Sequence, residues 1–354
     1  MSKSTKKWLI GTGIVAAGAT AVAAGLRAIS HYFVKIAMDR KCPGKVQEKV
    51  SMVSGGSVNE ELLKLTEQAT KDLEAAAQTR VEVESHDGLR LIGHWHPAEQ
   101  PKRILIAMHG WRSSWSRDFG VIAPFWHDNG CSVLYAEQRG QGASEGEYMG
   151  FGMLERYDCL KWAQWANENN PDHLPIYLVG LSMGATTVLM AGDLELPENV
   201  RGIMADCGFT SAHDIWKHVA EENLHLHYGL YATAANDLCK KRISIGSREC
   251  STVDVLKRCK VPVLFIHGAD DNFVPVRMTY ENYAACTSEK HLLIIPGADD
   301  NFVPVRMTYE NYAACTSEKH LLIIPGADHA MSYCVDTKAY QEENMQFWEK
   351  FDNK

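Results

Sequence analysis

Ser182 lies in Gly180-Leu181-Ser182-Met183-Gly184, a G-x-S-x-G arrangement. The apolar run Ile176–Gly180 precedes it, and a helical stretch, Met183–Asp193, follows. A strand running straight into a helix makes a tight turn that lifts the serine hydroxyl above the sheet edge, and the small glycines let that turn form. A serine presented in this way is a nucleophile for acyl transfer. It needs a base to take its proton, and the base needs a carboxylate to hold its tautomer. On such a turn the chain order is Ser, then Asp or Glu, then His. VPVLFIHGADDNFVP (261–275) supplies adjacent carboxylates just past an apolar run, and LLIIPGADHAMSY (321–333) supplies His329 just past another.

A duplication complicates that order. The 29-residue unit GADDNFVPVRMTYENYAACTSEKHLLIIP occupies 268–296 and again, unchanged, 297–325. Solenoids need about three or more copies, and their copies drift. Two perfect copies read as one segment doubled inside a finished fold, by recent gene duplication or in assembling the sequence. One copy comprises an acid loop, a helix and the last strand. Doubling it gives two candidate acids but a single His329. Either VPVLFIHG stays in the sheet and the first acid loop acts, with one unit's helix and strand extruded or added at the edge, or HLLIIP (291–296) replaces that strand and Asp300 acts. VPVLFIH is the more apolar run and has no strand-ending proline close to its core, which favours the first arrangement.

The elements that must position these residues alternate. Short apolar runs at 104–110, 131–140, 176–182, 201–208 and 261–268 are separated by helical stretches at 119–129, 152–169 and 183–193. This predicts a mostly parallel sheet covered on both faces, with its chemistry at the carboxyl ends of the strands. Residues 209–255 interrupt the alternation and read as a small helical cap. Thr79–Glu84 and Leu89–Trp95 alternate around His86-Asp87-Gly88 as a β-hairpin. Ser57-Val58-Asn59-Glu60 has the capping-box pattern, and Val58, Leu62, Leu65, Ala69, Leu73 and Ala76 continue at helical spacing.

Charge and composition bound the partners. The chain has a net charge of −8, yet residues 1–49 hold nine Lys/Arg against two Asp/Glu, leaving 27 against 42 in the remainder. So acidic a body argues against nucleic acid as a partner. Trp8–Leu26 is uncharged behind Lys3, Lys6 and Lys7, and as a helix it rises about 28 Å, close to a bilayer's hydrocarbon thickness. This predicts a single-pass membrane anchor over 1–30, a helical linker over 31–78 and a catalytic domain over 79–354, expected outside the cytoplasm. Ala21-Val22-Ala23 also fits a signal-peptidase site, and a soluble chain is a third reading of so weakly apolar a run. The ten cysteines show no C-x-x-C pair, and Cys131, Cys159 and Cys207 read as small core residues. His94/His96 and His225/His227 are possible metal pairs, but no carboxylate or cysteine accompanies them at ligand spacing, so neither metal nor cofactor is expected. Arg139 reads as a structural ion pair, and Tyr340, Phe347, Trp348 and Phe351 as the apolar face of the last helix.

From Thr79 to Lys354 the chain resembles the α/β-hydrolase superfamily, in particular its serine aminopeptidase-like and lipase-like membrane-anchored bacterial branch. Four stretches carry the resemblance: the Ser182 turn; His109-Gly110-Trp111, similar to the family's oxyanion loop; Glu137-Gln138-Arg139-Gly140-Gln141-Gly142-Ala143-Ser144, with Glu where the family has Asp; and Gly268-Ala269-Asp270-Asp271-Asn272-Phe273-Val274-Pro275. The resemblance implies an α/β-hydrolase fold and a triad of Ser182, Asp271 and His329, with Asp300 as the alternative acid. It implies an oxyanion hole from the backbone N–H groups of Trp111 and Met183, each worth ~3–4 kcal/mol in the transition state. The expected activity is hydrolysis of an ester, thioester or small amide in a small-molecule acyl substrate. Acyl transfer to another acceptor, or a silent relative that only binds, are the alternatives.

Overall fold

The computed structural model describes residues 24–41, 60–295, 321–323 and 328–353. Thr79–Glu84 (β1) and Arg90–His96 (β2) form the hairpin, antiparallel, with Gly88 at φ 83° in its turn. The apolar runs become Arg103–Met108 (β3), Cys131–Ala136 (β4), Ile176–Leu181 (β5), Val200–Asp206 (β6) and Val263–Gly268 (β7). With Lys290–Ile295 (β8) and Leu321–Ile323 (β9) they complete a nine-stranded sheet of order β1-β2-β4-β3-β5-β6-β7-β8-β9. All pairings are parallel except β1 with β2 and β2 with β4. Every residue of β3 and β4 is buried, as expected of strands covered on both faces.

The described helices are residues 24–38 (α1), Glu60–Ala75 (α2), Trp115–Phe119 (α3), Ala123–Asp128 (α4), Glu155–Glu168 (α5), Met183–Ala191 (α6), Ala212–His218 (α7), Ala232–Ile243 (α8), Thr252–Leu256 (α9), Arg277–Ala285 (α10), Ser332–Val335 (α11) and Thr337–Phe351 (α12). One core layer packs Trp162 of α5, Val188 and Leu189 of α6 and Tyr283 of α10 against the sheet. The opposite layer packs Leu73 of α2, Trp126 of α4, and Phe347, Trp348 and Phe351 of α12. The last helix thus buries the apolar face its sequence predicts. Fully burying each such side chain contributes ~1.5–3 kcal/mol. Arg103 locks α12 down, donating to the Asp352 carboxylate at 2.7 Å with its guanidinium 4.4 Å from the Trp348 ring centre.

Two features differ from the sequence reading. The helix expected over 119–129 is shorter, α4 at Ala123–Asp128, and a separate short helix, α3, precedes it. Gly120 ends α3, and Pro124 sits in the first turn of α4, where its missing N–H costs nothing. A Cβ at Gly120 would lie 2.7 Å from the Ala69 carbonyl oxygen, so this glycine also lets α2 approach. The second difference lies in residues 31–41, expected within a linker. They pack into the domain, with Val34, Ala37 and Met38 buried among Phe151, Met183 and Trp216. The cap over 209–255 is present as α7, α8 and α9 with short helical turns between them. Most of the Trp8–Leu26 run, residues 57–59 of the capping box, and Asp300 lie outside the described residues. Among those described, no helix is long and apolar enough to cross a membrane.

The duplicated unit takes the first of the two arrangements. VPVLFIHG keeps its place as β7, and the first copy's strand pairs with it as β8. The second copy's strand is added at the sheet edge: Leu292 pairs with Leu321, Leu293 with Leu322 and Ile294 with Ile323, each residue beside its own duplicate. Because the copies are identical, removing 268–296 or 297–325 yields the same chain. It leaves β8 as the last strand, running directly into the loop before His329. That chain is expected to unfold at a temperature no lower than the full protein, because an edge strand only three residues long is replaced by none. Thermal unfolding of the two purified proteins checks this; a clear fall in midpoint would mean the second copy is structurally integral.

Candidate active site

The turn at Ser182 is strained as its sequence requires. Ser182 has φ 55° and ψ −114°, a region that L-residues rarely enter. A Cβ at Gly180 would stand 2.2 Å from the Gly184 carbonyl oxygen, and one at Gly184 would stand 1.8 Å from that of Met108. Only glycine fits either place. The turn is tied to β6 by Ser182 N–H donating to the Asp206 carbonyl at 2.8 Å, and to α6 by Thr186 N–H donating to the Ser182 carbonyl at 3.0 Å.

Three sequence-predicted residues meet above the sheet. His329 Nε2 lies 3.1 Å from Ser182 Oγ, and its Nδ1 lies 2.6 Å from Asp271 Oδ2. Asp271, rather than Asp270, faces the ring. Its other oxygen accepts from the backbone N–H groups of Phe273 at 2.9 Å and Val274 at 2.7 Å. Burial opposes charge on Asp271, but His329, His267 and these bonds outweigh it and hold its carboxyl well below the usual range. Burial likewise opposes charge on His329, yet the Asp271 carboxylate, with Asp206 and Asp328, raises its pKa above the ordinary imidazole value.

The loop after β3 stands beside the serine: a Cβ at Gly110 would be 3.5 Å from Ser182 Cβ. Asp118 accepts the Gly110 N–H at 2.6 Å, and the Gln138 amide, itself held by Thr187 at 3.1 Å, donates to the His109 carbonyl. The backbone N–H groups of Trp111 and Met183 have no acceptor among the described residues. Glu137 closes its turn by accepting from Ala143 N–H, and its other carboxylate oxygen lies 2.7 Å from His94 Nε2. Arg139 is a buried structural pair, bonded to Asp158 at 2.6 Å and Asp87 at 2.9 Å.

Sequence reading missed three neighbours. His267, at the end of β7, places Nε2 2.8 Å from the Val274 carbonyl and 3.3 Å from Asp271 Oδ2, bracing the acid loop. Asp206 ends β6, accepts from Ser332 at 3.1 Å, and is pushed up to about 6 by burial. Cys207, read as plain core, brings Sγ within 4.8 Å of Asp271 and His329 ligand atoms. These three could hold a metal ion only by displacing the Asp271–His329 hydrogen bond. The strand-end position of His267, Asp206 and Cys207, where parallel sheets gather their chemistry, was the available signal. The other histidines considered for metal are otherwise engaged or dispersed. His94 stacks on Trp115 with ring centres 4.2 Å apart, His96 stacks on His127 at 3.8 Å, and His225 and His227 are exposed on the cap.

The raised pKa of His329 has a measurable sign. Its ring is expected to titrate with a midpoint above 6.5 in the intact protein, and below that of the intact protein in Asp271→Asn, where burial acts without its largest opponent. NMR of the His329 ring against pH checks both; an unmoved midpoint would show that Asp271 does not set it.

The family described as serine aminopeptidase, S33, matches residues 99–238. Uncharacterized protein YqkD of Bacillus subtilis (strain 168) is 27% identical over 201 residues, covering 57% of this chain; the match spans only 65% of that relative's length. The Pyrococcus furiosus esterase Pf2001 superposes with a TM-score of 0.58 at 20% identity, over 80% of this chain and 94% of the esterase. The α/β hydrolase GrgF from Penicillium sp. sh18 gives 0.55 at 17% identity, over 79% of this chain and 100% of GrgF. The Pyrococcus horikoshii acylaminoacyl peptidase gives 0.52 at 15% identity, over 80% of this chain and 43% of the peptidase. The parallel sheet, the strained serine turn between β5 and α6, and these superpositions agree: the chain has the α/β-hydrolase fold.

Proposed function

We propose that the chain is a serine hydrolase that cleaves an ester, thioester or small amide through an acyl-enzyme on Ser182. One observation carries this reading: a buried imidazole that contacts Ser182 Oγ with one nitrogen and the Asp271 carboxylate with the other. Ser182 Oγ attacks the acyl carbonyl carbon while His329 Nε2 takes its proton. Asp271 keeps the proton-bearing Nδ1 turned away and stabilises the imidazolium that forms. The carbonyl oxygen, now negative, accepts from the N–H groups of Trp111 and Met183. The imidazolium gives its proton to the leaving group as the carbon–heteroatom bond breaks. Water, deprotonated by His329, then attacks the ester on Ser182 and releases the acid.

The surroundings favour an apolar acyl group. Trp111, Phe151, Met183, Phe209 and Phe273 belong to one apolar cluster that runs from the serine turn into the cap, and Phe273 lies 5.1 Å from the His329 ring. The leaving group is not selected by fold, since an esterase and an acylaminoacyl peptidase share it. The uncharged Trp8–Leu26 run behind three lysines supports a further part of the proposal, a membrane anchor that holds the domain on the outer side.

Ser182→Ala is expected to cut nitrophenyl-ester turnover by several orders of magnitude and to abolish labelling by a fluorophosphonate. Retained turnover would refute the assignment. Asp271→Asn is expected to lower kcat by roughly 10⁴ while Asp300→Asn leaves it unchanged; the reverse pattern would transfer the role to the second copy. Fractionation of expressing cells is expected to place the chain with membranes, whereas a soluble mature chain starting near Ala24 would identify a cleaved signal.

A further inference from the structure

The carbonyl end of α1 is taken up by the two residues that follow Gly110. The last carbonyls of a helix have no partners within it and carry the negative end of its dipole. Here the Ala37 carbonyl accepts from the Trp111 indole Nε1 at 2.7 Å. The Ile36 carbonyl accepts from Arg112 Nη2 at 2.7 Å and Nε at 3.1 Å, and the Asp39 carbonyl from Arg112 Nη2 at 2.6 Å. The Met38 carbonyl accepts from Met149 N–H at 2.7 Å. Asp39 also reaches the cap, with its carboxylate 2.6 Å from Arg242 Nε. Arg40 donates to the Ser144 carbonyl at 2.6 Å and the Gly142 carbonyl at 2.6 Å. The end of α1 is therefore clamped to the loop after β3, to the 137–144 turn and to the cap.

Arg112 has φ 52°, a left-handed conformation that a long side chain does not choose unaided. Such strain persists only when the surroundings fix it, and the Ile36 carbonyl of α1 and the Asp39 carbonyl just beyond it are among the partners that fix this side chain. The peptide immediately before it carries Trp111, whose backbone N–H is free to bond a substrate oxygen. We infer that α1 is a working part of the active site: its carbonyl end holds the Trp111–Arg112 turn so that the Trp111 N–H is aimed at the acyl oxygen. Arg112 is the positioning residue that transmits this. It does not touch substrate; it fixes the direction of a donor that does. The inference rests on the Ser182 hydrolase reading and adds to it an active-site part drawn from well before the first strand. Because the bonded carbonyls belong to residues 36–39, a chain starting at Ala24 would retain these contacts, and one starting beyond Arg40 would not.

The test uses the full chain with Arg112→Ala, Arg112→Lys and Trp111→Phe, the last of which keeps a ring but loses the indole donor. Each is assayed on a short-chain nitrophenyl ester and for binding of a trifluoromethyl ketone. The ketone adds Ser182 Oγ to its carbonyl carbon, passes the proton to His329, and leaves an oxyanion that needs the same N–H donors. Arg112→Ala is expected to lower kcat by about tenfold or more with KM little changed, since a whole oxyanion donor is worth about 10²–10³. Ketone affinity should fall by a similar factor, and Arg112→Lys, still able to donate to the helix carbonyls, should recover part of both. Wild-type kcat and ketone affinity in Arg112→Ala would overturn the inference, as would lowered thermal stability with unchanged ketone affinity. Should Arg112→Ala fail to fold, Trp111→Phe decides: parallel losses in kcat and ketone affinity support the inference, and wild-type values overturn it. A wild-type protein that binds no ketone and ignores Ser182→Ala would instead refute the hydrolase reading itself.

Discussion

The hydrogen bond between His329 and Asp271 is the constraint on which the rest of the structure depends. At 2.6 Å it joins residues 58 apart in sequence, and it has almost no tolerance for displacement of either end. The carboxylate must stay charged while buried, which burial alone would forbid. Two backbone N–H groups, His267 and the imidazole together offset the desolvation. The imidazole in turn must reach a serine whose backbone is strained. That strain is held by two glycines with no room for a Cβ and by the bond from Ser182 N–H to β6. Each end of the Ser–His–Asp line is thus fixed to a different strand, and the stiffness of the parallel sheet is what keeps the ends in register.

That requirement explains how the duplication is accommodated. The sheet needs one strand ahead of the acid loop and one ahead of the histidine. β7 is a buried strand already paired with β6, so it is not displaced by a copy whose strand ends in proline. The added strand goes to the sheet edge beyond β8. The pairing there is in register, with Leu292 beside Leu321, Leu293 beside Leu322 and Ile294 beside Ile323. Asp271 therefore keeps its position relative to β7, within 2.6 Å of His329.

The carbonyl end of α1 shows a second way in which the site is fixed from outside the sheet. A loop that offers a backbone N–H to substrate cannot satisfy that N–H internally, so its conformation must be held by its side chains. Trp111 and Arg112 are held by helix carbonyls, and Gly110 by Asp118, on opposite sides of the same donor. The segment reads as a linker because it falls between the uncharged run and the hairpin that opens the domain. Its value lies in where its carbonyls point, which residue types do not encode.

What the sequence determined by itself is what local chemistry dictates. The glycine-flanked serine between a strand and a helix, the buried strand runs, the hairpin and the cap insertion were all legible, because each is enforced by neighbours within a few residues. The acid loop and His329 were legible through their strand-end positions. The two identical acid loops differ in sequence only by the runs before them, VPVLFIHG and HLLIIP, which favour Asp271; in the structure Asp271 lies beside His329. Tertiary structure alone placed Asp206, Cys207 and His267 against the site, since each is an unremarkable strand-end residue until its neighbours in space are known. It also shortened the helix expected over 119–129, where Gly120 lies against the carbonyls of both Ala69 and Ser116. And it brought residues 36–40 onto Trp111 and Arg112, a contact between segments more than 70 residues apart that rests on carbonyl groups every residue carries.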